Sequence, residues 1–298
     1  MPDETPVYPI RTVAEFTGVN PVTLRAWERR YGLIRPHRTA KGHRLYSEGD
    51  IARIRRILQL LDRGVLISRA REALAAEESG EEIAAGEEPW PAWRSHLARA
   101  LARFEPAALD GALSELLSLY PVDRAASHVL LPVLSERLAG DAEAVAEGHL
   151  LAAYLRGRLG HLANRAPAQG QGQRLLLAAP AQPGPATGVT GVALCILALT
   201  ALNRGHHPVL LGEAVPAAAI DAGARRAAAD HLLLYGGAHP AAAWDEAVAN
   251  LAGGWPGQTA VTGPAAEQPD GLPAGVRALA GEPHQVIDRL CHPPQQGD

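Results

Sequence analysis

At 298 residues the chain is too long for one small domain and predicts two or three. Its 28 basic and 32 acidic side chains leave a formal charge of −4, yet residues 1–74 hold 14 Arg/Lys against 8 Asp/Glu and the remainder 14 against 24, so a basic head on an acidic body points to an anionic partner at one end only. Two cysteines, Cys195 and Cys291, form neither a disulfide framework nor a zinc ribbon, no apolar run reaches about 18 residues, and MPDETPVYPI lacks the basic-then-apolar order of a signal peptide; a soluble, cytoplasmic protein without a membrane partner is expected.

In the head, Thr12 followed three residues later by Glu15 predicts a capping box opening a short helix, and Gly18 predicts its end. Asn20-Pro21 restarts the chain as N-cap and first-turn proline, which makes a helix-turn-helix. Leu24, Trp27, Glu28 and Tyr31 fall on one side of the second helix, with Trp27 and Tyr31 expected to bury against the first helix. Val22, Thr23, Arg25, Ala26, Arg29 and Arg30 form the outward side. Small and guanidinium side chains suit the major groove, where Arg reads guanine edges bidentately. In IRPHRTAKGHRLYS, residues 38–39 and 43–46 can pair as a hairpin across Ala40-Lys41-Gly42, a wing carrying Arg38, Lys41, His43 and Arg44. The candidate DNA contacts are therefore Thr23, Arg25, Arg29, Arg30, Arg38, Lys41, His43, Arg44 and Tyr46. Ser47 and Asp50 cap a third helix over 47–61, and Asp62-Arg63-Gly64-Val65 turns into a fourth from Ser68.

Residues 1–75 thus predict a DNA-binding domain, and 76–89, rich in Glu, an acidic solvated linker. Residues 90–165 carry four Ala/Leu-rich helical patterns at 90–104, 106–119, 122–138 and 141–164, which suggests an antiparallel four-helix bundle. Ala144, Leu151, Leu155, Leu159 and Leu162 form an apolar stripe on the last. After a Gly/Gln-rich linker at 166–173, short apolar runs at 174–179, 208–212, 231–235 and 259–262 alternate with helical stretches at 189–203, 216–229 and 241–251. With a fifth run at 276–279, residues 174–298 predict a doubly wound parallel sheet, Rossmann-like. The fold class is α plus α/β in several domains.

RTVAEFTGVNPVTLRAWERRYGLIRPHRTAKGHRLYSEGDIARI, residues 11–54, closely resembles the winged helix-turn-helix of MerR-family transcriptional regulators. LRAWERRYGL, the Arg38-Thr39 pair and GHRLYS mark the branch with the cobalamin-dependent light-responsive repressors (CarH and LitR types) and the enterobacterial curli and blue-light regulators. That resemblance implies binding to a double-stranded, inverted-repeat operator as a homo-oligomer, dimer or tetramer. The family's usual long dimerising helix and cysteine metal loop are absent, which argues against metal-ion sensing.

A helical bundle before an α/β domain also resembles the cobalamin-binding module of CarH-type regulators. That resemblance implies a cobalt-ligating histidine in Glu/Asp-x-His-x-x-Gly at the first strand-to-helix turn. Counted back from Leu210–Gly212, the motif falls on GVTGVA at 188–193: Gly188 stands for the carboxylate, Thr190 for the histidine and Ala193 for the glycine. The upper cap is depleted too: His149 persists on the fourth helix behind Gly148 where the family has Glu, Glu147 lies one position early, and no Trp occurs between Trp93 and Trp244. His149, Gly188 and Thr190 remain the candidate ligand positions. PGPATGVTG (183–191) can cradle a phosphate at a helix N-terminus but lacks a P-loop ending, and is otherwise a relic turn with Thr190 capping the helix. His206-His207 suit no single metal geometry, and no nucleophile-base constellation emerges, so no catalytic residue, metal or cofactor is predicted. The sequence describes a transcriptional regulator, not an enzyme. Its C-terminal module is expected to set oligomeric state and receive a signal from an antirepressor, another signalling protein or an unidentified ligand. The alternatives are a cobalamin-, haem- or bilin-dependent light or ligand sensor with a non-standard site, and a cobalamin-dependent methyl-carrier enzyme.

Overall fold

The computed structural model describes residues 5–79, 89–165, 172–181, 188–237, 242–255, 257–267 and 272–292. Contacts divide the chain into two compact units, Met1–Leu130 and Leu131–Asp298. The stretches 80–88 and 166–171, within the expected linkers, and 183–187 of the Gly-rich turn lie outside the described residues.

The first unit begins with β1 (Tyr8–Pro9), α1 (Ile10–Thr17) and α2 (Pro21–Ala26), and α2 runs into a π-helical turn, Trp27–Tyr31. The wing strands β2 (His37–Arg38) and β3 (Arg44–Tyr46) follow, then α3 (Glu48–Asp62), a 3-10 turn at Ile67–Arg69, and α4 (Ala70–Ser79). Next come α5 (Trp90–Leu101), α6 (Pro106–Leu119), α7 (Val122–Ala125) and a π-helical turn at Ala126–Leu130. Asn20 caps α2 through its side-chain oxygen, which accepts from the backbone N–H groups of Val22 and Thr23, and Pro21 fills the first helical position. Gly18 closes α1 in the left-handed conformation its missing Cβ permits. Ser47 and Asp50 form a reciprocal capping box on α3. The expected Thr12–Glu15 box does not form: α1 starts three residues earlier, with Pro9 at the N-cap and no side-chain cap. The wing pairs Arg38 with Arg44 as expected, and β1 adds a third antiparallel strand on β3.

The second unit has α8 (Leu131–Leu138) and α9 (Ala142–Arg165) before an α/β domain. That domain runs β4 (Arg174–Pro180), α10 (Val189–Asn203), β5 (His207–Val215), α11 (Ala217–Arg226), β6 (His231–Tyr235), α12 (Ala242–Gly254), β7 (Gln258–Thr262), β8 (Val276–Ala278) and α13 (Pro283–Cys291). Its five strands are all parallel in the order β5-β4-β6-β7-β8. Successive residues of β4 alternate between faces: Leu176 and Ala178 pack with Ile220, Trp244 and Val248, and Leu175 and Leu177 with Leu194, Leu197 and Ile287. Both faces are therefore covered, as continuous apolar strands require. Strand order reverses between β4 and β6, the switch point at whose carboxyl ends such sheets form their ligand crevice. Leu151, Leu155 and Leu159 of α9 are fully buried, while Leu162 at the end of the expected stripe is exposed.

Candidate nucleic-acid interface

Asn20 fixes the first turn of α2, and Val22, Arg25, Arg29 and Arg30 emerge from it exposed to solvent. The π turn matters here. An i to i+5 turn advances less around the axis per residue, so Arg29 and Arg30 both stay on the exposed side with Val22 and Arg25. No acidic side chain pairs with Arg25, Arg29 or Arg30 among the described residues. Lys41 and His43 are likewise exposed at the wing tip, where Gly42 at φ 80° lets the chain reverse.

Glu28 ties the wing to the helix. Its carboxylate accepts from Arg38 Nη2 at 2.7 Å and from Arg44 Nε. Burial pushes the Glu28 carboxyl up, but the guanidinium hydrogen bonds of Arg44 and Arg38 outweigh it and hold the group below its ordinary range. Arg38 keeps half its side chain exposed, whereas Arg44 is mostly covered. Sequence periodicity placed Glu28 with the buried side of the helix and missed this role; an acid flanked by arginines, facing two more in the wing, was the available signal.

Two expected contacts are corrected. Thr23 is fully buried, and its hydroxyl donates to the Leu117 carbonyl at 2.9 Å. Tyr46 is fully buried in β3, and its hydroxyl finds no partner among the described residues. Burial also pushes the Tyr46 phenol up to about 12. Thr23 faces inward because α6, distant in sequence, covers that side of α2: Trp27 also donates its indole N–H to the Leu119 carbonyl at 2.9 Å. Trp27, expected to bury against the first helix, is thus bonded to the end of α6. Arg124 of α7 forms an ion pair with Asp62 at the end of α3, its Nη2 donating to Oδ2 at 2.9 Å and its Nε lying 2.8 Å from Oδ1. Trp90 stacks on His128 at 4.5 Å and lies 4.9 Å from Tyr120, next to the same junction. The acidic linker expected at 76–89 begins inside α4, where Glu77 accepts from both Arg56 and Arg63.

Residues 8–77 match the family described as MerR HTH family regulatory protein. The HTH-type transcriptional repressor CarH of Myxococcus xanthus is 34% identical over 221 residues, 70% of this chain and 72% of the relative. This chain belongs to the MerR family of transcriptional regulators. The repressor CarA of the same organism is 31% identical over 71% of this chain and 70% of its own. MlrA of Escherichia coli K12 is 51% identical, but over only 24% of this chain and 29% of its own length. A solved cobalamin-binding protein from Desulfitobacterium hafniense DCB-2 aligns at 16% identity with a TM-score of 0.27, covering 58% of this chain and 83% of that one, too loosely to place residues. The MerR-family regulator is therefore a DNA-binding protein related to CarH and MlrA.

In the second unit of this regulator, the candidate ligand positions Gly188 and Thr190 lie at the start of α10, which follows β4. Gly188, at φ 75°, precedes α10, and a Cβ there would lie 2.9 Å from Ala152 on α9. Gly191 donates its N–H to Glu213 of β5, whose carboxylate also accepts from Arg156 of α9 at 2.7 Å. A side chain at Gly191 would strike both Arg156 and Glu213. Helix α9 therefore presses directly onto the turn where a lower cobalt ligand would rise. Thr190 lies inside α10, and Gly188 is the N-cap, so Thr190 is not the capping residue expected. His149 is exposed on α9, and the neighbouring Glu147 pairs with Arg137 of α8 at 3.4 Å. Residues 188–193 do not fit a cobalt held from below, because they supply no imidazole. Among the described residues no group of three His, Cys, Asp or Glu could hold a metal ion, and no helix is long and apolar enough to cross a membrane.

Proposed function

We propose that this regulator reads an inverted-repeat operator with Arg25, Arg29 and Arg30 of α2 in the major groove and Lys41 and His43 of the wing on phosphates. Its C-terminal module assembles the chain into a dimer or tetramer and receives its signal without a cobalt ligand from the protein. The exposed arginine edge of an N-capped helix, with Glu28 fixing the wing beside it, carries the DNA half of this proposal. The Thr190 that stands where the lower ligand is expected, beside the interlock of Gly191, Glu213 and Arg156, supports the second half, because that stretch supplies no imidazole. A protein partner is then the expected source of the signal.

Selection of duplexes from a random library with the full chain, with size measurement on the selected operator, tests the first half. Arg29→Ala should weaken operator binding about tenfold or more, the worth of a bidentate guanine contact. Lys41→Ala should lower the salt slope of binding by about 0.9. Unchanged affinity and slope would remove both residues from the interface. Titration of the purified chain with cobalamin, haem or biliverdin tests the second half, and a stoichiometric shift of the visible absorption band with any of them would overturn it.

A further inference from the structure

We infer that Val22 is a specificity-determining residue of the recognition helix, reading a thymine methyl group beside the guanines read by its arginine neighbours. The inference rests on the proposed operator-binding role of α2 and deepens it. Val22 is 59% exposed although it is a branched apolar residue in the first turn of a helix. Asn20 holds that turn rigidly by accepting from the Val22 N–H at 2.9 Å, and a β-branched side chain in a helix has one strongly preferred rotamer. Its isopropyl group therefore projects from a fixed point without the entropy cost a long side chain would bring.

Its neighbours decide what it can meet. On α2 the alternative outward residue, Thr23, is buried under α6 and bonded to Leu117, so it cannot reach a base edge in this conformation. Ala26 is also buried. The exposed face of the helix is thereby narrowed to Val22, Arg25, Arg29 and Arg30. N-terminal residues of a recognition helix are the ones that contact base edges, and the 5-methyl of thymine is the one apolar group the major groove presents. An apolar knob set among guanidinium groups thus matches a thymine next to guanine, and matches a phosphate or a solvated surface poorly.

The test uses the full-length chain and an operator selected from random duplexes, in which each thymine of a half-site is replaced in turn by deoxyuridine, a change that removes only the methyl group. Wild-type binding should weaken about fourfold at one position per half-site, the worth of one buried methyl. In Val22→Ala, which alters an exposed side chain and leaves the Asn20 cap intact, the same replacement should have no effect. If no thymine responds, or if Val22→Ala responds as the wild type does, the inference is wrong. Arg29→Ala separates this failure from that of the wider proposal: weakened operator binding in that variant with no deoxyuridine effect leaves the operator-reading role standing and sinks only Val22. A selection that enriches no duplex overturns both.

Discussion

One carboxylate, Glu28, sets the shape of the reading head, because it meets Arg38 and Arg44 of the wing from within the helix that carries Arg29 and Arg30. The two wing arginines are held by this carboxylate, while Lys41 and His43 stay exposed at the tip. Tyr46 shows the opposite case of a polar atom buried without a partner: its hydroxyl sits in the core of the small sheet, and burial raises its titration to about 12. An unsatisfied buried hydroxyl carries a desolvation cost that deletion relieves. Tyr46→Phe should therefore leave stability unchanged or raise it by up to about 1 kcal/mol, read from urea unfolding. Operator affinity should be unaltered; a tenfold loss would return Tyr46 to the DNA contacts.

At the scale of elements, the α2–α6 contact and the α9–α10 contact are the two features that no local pattern announces. The indole of Trp27 gives its N–H to the carbonyl of Leu119, just ahead of the α6 C-cap, a region where carbonyls lack intrahelical partners. Trp27→Phe leaves that carbonyl unpaired in a buried place and should cost about 1–3 kcal/mol. A thermal unfolding curve matching the wild type would show that the bond contributes nothing. Gly188 adopts a left-handed backbone against Ala152, so Gly188→Ala should destabilise the second unit by about 1–2 kcal/mol from backbone strain alone, before the methyl contact is counted. Unchanged unfolding would mean that α9 withdraws from the turn at no cost. Much of the rest was legible. Asn20-Pro21 and Ser47–Asp50 announce their caps because capping chemistry is local. The strand runs announce a parallel sheet because both faces must be apolar. Thr23 and Arg25 differ by only two positions, yet one is buried and the other exposed; only the path of α6, more than 90 residues away, decides between them. Helix α13 is not announced by the sequence, because its short amphipathic pattern opens on Glu282-Pro283 and not on a usual N-cap residue.

For the molecule as a whole, the charge split and the buried histidines make pH and salt act on different units. The +6 head is modest for one that must hold phosphates alone, so affinity is expected to come from two or more heads bound together. In the second unit, His206 and His231 meet through Gln173, whose N–H donates to His206 Nδ1 at 3.3 Å and whose Oε1 lies 3.0 Å from His231 Nε2. Burial, then the neighbouring His292 and Arg204, pushes His206 down to about 4, against the opposing pull of Asp288. Burial lowers His231 as well, beyond what Asp230 restores. Well above pH 6.5 both histidines are neutral in folded and unfolded chains, and they take nothing from stability. As pH falls from about 6.5 toward 4 the unfolded chain binds protons that the folded one refuses, so stability is lost through that window. The urea midpoint of the second unit should drop between pH 6.5 and 4.5. His206→Asn, which retains an acceptor for the Gln173 N–H, should flatten that drop while carboxylate titration continues in both proteins. An equally steep fall in the variant would place the acid sensitivity elsewhere. Because none of these histidines lies in the first unit, operator contacts made by arginine and lysine should persist through the same window in any protein still folded.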